Sequence, residues 1–88
     1  MTVQVTVSTT PNENAMKFSL SCQAIESGYK TYSSAEAAAE NPVARALFTI
    51  GGVAQVFLMA DFITVTKKPE AGWAALEGPI LQAIQASY

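Results

Sequence analysis

Val3, Val5 and Val7 alternate with Gln4, Thr6 and Ser8. Past the segment TPNEN the alternation resumes, with Met16, Phe18, Leu20 and Cys22 on one face and Lys17, Ser19 and Ser21 on the other. A period of two in β-branched and aromatic residues marks strands with one apolar and one polar face. Between them Pro11 presets φ, and Asn12 and Asn14 tolerate left-handed backbone and bond their own chain, so a hairpin with a longer loop is predicted. A sheet of this kind must bury its apolar face under something else. That demand restricts the fold more than any other feature of the chain.

The remaining sequence supplies the cover. Ser27-Gly28 marks a turn, and YKTY offers a short edge piece. Ser33 followed by Glu36 reads as a capping box before an alanine-rich run. Asn41-Pro42 interrupts that run and starts a helix, with Asn41 as N-cap, that buries Val43, Ala44, Leu47 and Phe48. Gly51-Gly52 ends it. VAQVFLMA is apolar on both faces, as in a central strand; Ala60-Asp61 turns, and FITVTK returns as a strand. A last helix follows, with Trp73, Leu76, Ile80 and Ile84 inward, Glu70, Glu77 and Gln82 outward, and a kink expected at Gly78-Pro79. The pattern predicts one α+β domain over residues 1–88. It is a two-layer α/β sandwich in ββαββα order, with a four-stranded, mainly antiparallel sheet and two helices on one face. The opposite face is expected to be largely polar, presenting Thr6, Lys17, Ser19, Thr64 and Thr66.

Composition excludes several functions. Half the residues are hydrophobic, enough for a core, and net charge is −2 with a pI near 4.8. The five basic residues are scattered and form no stripe to neutralise phosphates, so no nucleic-acid partner is expected. The apolar stretch IGGVAQVFLMADFI is broken by Gly51, Gly52, Gln55 and Asp61 and is too short to span a bilayer. MTVQVTVSTT has neither a basic nor an apolar leader region, and a single cysteine suits a reducing compartment; the expectation is a soluble cytoplasmic protein.

Catalytic chemistry finds few residues to use. There is no histidine to activate a serine, and no spacing forces two carboxylates together. Asp61 closes a hairpin, where its ordinary role is turn former. Gly51-Gly52 follows a helix, whereas phosphate loops run from strand to helix. Trp73 heads an apolar stripe and reads as core. Cys22 continues the inward face of its strand as a small hydrophobe, although a strand end could expose the thiol and leave it a weak metal candidate. An iron–sulfur cluster normally needs four thiolates, and two copies of this chain would bring two. The chain is read as no enzyme.

The order of motifs is more specific than any of them alone. TPNENAMKF, NPVARALFTIGGVAQVF, DFITVTK and WAALEGPILQAI together resemble the N-terminal domain of the Nfu/NifU-like scaffold proteins, over nearly the whole chain from Val5 to Ile84. Two departures stand out: Glu13 replaces the family's usual proline, and VFLMADF lacks the glycine often found at that turn. The resemblance implies the same sandwich and an association with iron–sulfur cluster assembly. In two-domain members a C-terminal Cys-x-x-Cys domain binds the cluster. The chain as given carries no such pair, so the expectation is an accessory, non-catalytic interaction domain without the cluster-binding part. It would bind no cofactor alone and would meet clusters only through partners, which would be cluster-assembly or acceptor proteins. It is expected to be a monomer that contacts neither nucleic acid nor membrane. Asn12, Asn14, Lys17, Asp61, Thr64, Thr66 and Lys67 match family positions and are the candidate partner-binding residues. The alternatives are a small-ligand or weak iron-binding protein using loop carboxylates and Cys22, or a structural subunit of a larger assembly.

Overall fold

The computed structural model describes residues 3–25 and 28–87. Its elements in chain order are β1 (Val5–Thr9), β2 (Ala15–Leu20), β3 (Tyr29–Tyr32), α1 (Ala35–Ala38), α2 (Pro42–Phe48), β4 (Val53–Met59), β5 (Phe62–Lys67) and α3 (Trp73–Ser87). Among the described residues this makes five strands, all pairing antiparallel in the order β1-β2-β5-β4-β3. The expected four strands, two helices and ββαββα order therefore need correction: the described order is βββααββα, with three helices. YKTY is a full strand, Tyr29 opposite Met59 and Tyr32 opposite Val56, and it converts β4 from an edge into an interior strand. The Ser27-Gly28 turn falls partly outside the described residues; Gly28 itself has φ +68°.

The register explains which face is covered. Phe18 lies opposite Ile63, Met16 opposite Val65, Leu58 opposite Ile63 and Val56 opposite Val65. These residues share one face, and of them Phe18, Val56, Leu58, Ile63 and Val65 are fully buried. Leu47 of α2 and Ile80 and Ile84 of α3 are fully buried in the same core, with Val43 and Leu76 close behind. Burying an aliphatic or aromatic side chain of this size contributes about 1.5–3 kcal/mol. Pro79 lies on the exposed side of α3, which continues through it.

The caps are local and specific. Asn41 is extended, and its Oδ1 accepts from Val43 N and Ala44 N at 3.1 Å each, as its place before Pro42 predicts. The cap of α1 is Ser34, not Ser33: the helix begins at Ala35, so Ser34 Oγ accepts from Ala37 N at 3.1 Å. Glu36 then falls one place short of closing a capping box. At the end of β3, burial foremost and the hydrogen bond to Glu40 next push the Tyr32 phenol above its ordinary 10.0.

Two turn positions carry backbone constraints. Gly52 has φ +102°, and its carbonyl accepts from Lys68 N at 2.7 Å where the α2–β4 and β5–α3 connections cross. A Cβ there would lie 2.9 Å from Ala71 Cβ and 3.3 Å from Leu76 Cδ2, whereas Gly51 faces open space. Ala60 holds φ +50° in the β4–β5 turn, the position where the sequence lacks a glycine. Gly52→Ala is expected to lower stability by about 1–3 kcal/mol in urea unfolding, while Gly51→Ala leaves it unchanged or slightly raised. Ala60→Gly should raise stability by up to about 1 kcal/mol, because relief of left-handed strain exceeds the added unfolded-state entropy.

Candidate functional site

Strand parity divides the sheet into a covered face and an uncovered one. With Phe18 and Ile63 turned to the helices, their strand neighbours face the other way. One row across that face runs Ser8, Lys17, Thr64, Phe57, Thr31, and the next runs Thr6, Ser19, Phe62, Met59, Tyr29. Ala15, Thr66 and Gln55 begin a third. The expected polar face is there at Thr6, Lys17, Ser19, Thr64 and Thr66, but only over β1, β2 and β5. Over β3, β4 and the start of β5 it is aromatic. The Tyr29 and Phe57 rings lie 5.9 Å apart, Phe57 and Phe62 6.1 Å apart, and Lys17 Nζ sits 4.5 Å from the Phe62 centroid. The exposed large hydrophobics among the described residues, Tyr29 at 65% and Met59 at 42%, are cross-strand partners here.

Sequence reading missed Phe57, Met59, Phe62 and Tyr29. A signal existed for one of them: once Thr64 and Thr66 are read outward on FITVTK, the same parity turns Phe62 outward. VAQVFLM has no alternation by which to orient Phe57 and Met59, so only the pairing with β5 fixes them.

The other candidates are divided. Lys17 and Thr64 are direct partners, with Thr66 in the adjoining row. Lys67 is not on this face: it follows Ile63 and Val65 to the covered side and is 9% exposed. There its Nζ donates to Asn14 Oδ1 at 2.9 Å and its backbone N donates to Asn14 O at 2.7 Å. Asn12 Oδ1 accepts from Asn14 N at 2.9 Å, and Thr10 Oγ1 accepts from Asn12 N at 3.2 Å. Trp73 Nε1 donates to Glu13 O at 3.0 Å. The TPNEN loop is thus bonded to β5 through Asn14 and to the start of α3 through the Glu13 carbonyl, while Asn12 and Glu13 remain exposed. Residue 13 contributes a backbone carbonyl, which proline also possesses, so this bond does not require the family's usual residue. Asp61 is exposed in the β4–β5 turn, where its carbonyl accepts from Leu20 N at 2.7 Å.

Cys22 departs from expectation. β2 ends at Leu20, and Ser21 closes the strand by donating its N to Gln4 O and accepting from Gln4 N, each at 2.9 Å. The alternation stops there, and Cys22 is exposed rather than inward. Among the described residues no three Cys, Asp or Glu side chains gather as metal ligands. A lone exposed thiol does not provide the donor set of an iron–sulfur cluster. Among the same residues no helix is long and apolar enough to cross a membrane.

The family model described as "Scaffold protein Nfu/NifU N terminal" matches residues 5–88. The human protein named NFU1 iron-sulfur cluster scaffold homolog, mitochondrial, is 41% identical over 76 residues, covering 85% of this chain and 30% of that protein. NifU-like protein 5, mitochondrial, of Arabidopsis thaliana is 32% identical over 87 residues, covering 99% of this chain and 32% of its own length. The chain therefore spans about a third of the length of these curated relatives. Among solved structures, protein SAV1430 from Staphylococcus aureus superposes with a TM-score of 0.80 at 26% identity, covering 96% of this chain and 99% of that one. A NifU-like protein from Saccharomyces cerevisiae gives 0.81 at 24% identity over 97% of this chain and 77% of that one, a likeness of fold alone.

The loop and the sheet face can be separated by mutation. Asn14→Ala removes the side-chain acceptor of a buried ammonium and should cost about 1–2 kcal/mol in urea unfolding. Lys17→Ala should cost no more than about 1 kcal/mol, the worth of an exposed cation–π contact.

Proposed function

We propose a function from one premise: the chain belongs to the Nfu/NifU N-terminal family. That family is linked to iron–sulfur cluster assembly, and its members carry the names of scaffold proteins. On our reading this domain is a non-catalytic accessory that docks onto proteins which build, carry or receive such clusters. The cluster is cargo held outside these residues, because a single thiol does not supply the thiolates it requires. The observation that carries the reading is the uncovered sheet face, where Tyr29 and Met59 are exposed and the Phe57 and Phe62 rings partly so, beside Lys17. Exposed apolar groups set together in a small domain are a common mark of an interaction site.

Chemical-shift mapping tests this directly. The isotope-labelled chain would be titrated with a purified Cys-x-x-Cys cluster-binding domain of the Nfu type and, separately, with a cluster-accepting apoprotein. Shifts are expected to concentrate at Lys17, Phe57, Met59, Phe62 and Thr64, with affinities at or tighter than about 1 mM. Absence of shifts with both proteins, or shifts confined to α2 and α3, would remove the proposal.

A further inference from the structure

The uncovered face has a charge that does not match the rest of the molecule. The chain carries net charge −2, yet none of the strand residues turned to this face is acidic. Glu13, Glu36, Glu40, Asp61, Glu70 and Glu77 all lie in loops, turns or helices. Among the described strand residues the face bears one charge, the Lys17 ammonium. Among the described residues Lys17 has no carboxylate partner, the ion pair formed being Lys30 with Glu40 at 3.9 Å. Lys17 rests instead on the Phe62 ring, and Tyr29, Phe57, Phe62 and Lys17 alternate between two adjoining rows in a zigzag from β3 through β4 and β5 to β2.

From this the geometry points to a specific occupant: a partner segment that sets two apolar side chains about 6 Å apart on Tyr29, Met59, Phe57 and Phe62, and a carboxylate on Lys17. The inference rests on the docking reading above and names the chemistry of what docks. Spacings near 6 Å are those of residues i and i+4 on a helix or i and i+2 on a strand, so a short segment laid across the strands spans the zigzag. Adjacent strands lie about 4.8 Å apart, which makes the four-strand crossing about 14 Å long. Charge complementarity selects the acid. A second copy of this chain would offer the same acid-free face and leave Lys17 without a counter-charge. A single-stranded nucleic acid could stack on the rings, but one cation cannot track a phosphate backbone.

The test uses two synthetic peptides of equal length, one built of Leu and Glu, the other with every Glu replaced by Lys. Each is titrated into the labelled, full 88-residue chain. The Leu/Glu peptide should shift Lys17, Phe57, Met59 and Phe62, and the Leu/Lys peptide should not. Lys17→Glu should weaken the first peptide by about five- to tenfold and reverse the preference. Met59→Ser, at an exposed position, should weaken binding by about fivefold or more without unfolding the domain, and is read alongside Phe57→Ser in case the latter impairs folding. Equal response to both peptides, no response on this face, concentration-dependent self-association through it, or equal shifts with an oligothymidine would each overturn the inference. The two readings fail separately. A cluster-handling protein that binds equally well to Lys17→Glu leaves the docking function standing and sinks this one. Selective binding of the Leu/Glu peptide with no response to cluster-handling proteins does the opposite.

Discussion

Where β2 lies against β5, Phe18 faces Ile63 and Met16 faces Val65, and this antiparallel seam is what joins the two hairpins into one sheet. A slip of one residue along it would exchange the two faces of a strand, setting Lys17 and Ser19 among the helices and Phe18 in solvent. The penalty for burying an ammonium without a partner makes such a slip prohibitive. With the seam fixed, the uncovered face is fixed as well, because every row that crosses it passes from β2 to β5. The uncovered face is thus a by-product of core packing: its residues are placed by the side chains they do not touch.

Much of the fold was legible because its signals are local. The alternation through Phe18 and Leu20, the Asn41-Pro42 cap and the spacing of Leu76, Ile80 and Ile84 each require only a few neighbouring residues to interpret. The failures share a different cause. YKTY is too short to show a period, and it becomes a strand through its pairing with β4. Ser33 and Ser34 are equally good caps until the helix start is known. Cys22 extends a pattern that the Gln4–Ser21 pair terminates. Lys67 looks like a surface residue at a strand end, but its parity follows Ile63 and Val65, and Asn14, distant in sequence, satisfies its ammonium. The candidate site was half legible for the same reason: threonines and Lys17 announce an outward face, whereas aromatic residues in strands are ordinarily taken for core.

The seven residues singled out in the sequence lie in separate parts of the structure. Lys17, Thr64 and Thr66 lie on the face left free by the helices. Asn12, Asn14 and Lys67 belong to a network that holds the first hairpin loop against β5 and α3, and Asp61 contributes through its backbone at the β4–β5 turn. Membership of the Nfu/NifU N-terminal family accounts for the motif series as a whole, and within that series the loop signature includes bonds that fasten the loop to β5.

Trp73 donating to Glu13, and Lys67 to Asn14, also has a meaning in time. These bonds join residues 60 and 53 positions apart in the chain. During synthesis the first hairpin leaves the ribosome with its loop unfastened, and β2 has no neighbour on its inner edge until β5 follows. Long-range closures of this kind are slow to form, since a large loop must be ordered before any bond repays it. The nascent domain is therefore expected to fold late and as a unit, with its first segment waiting on its last helix.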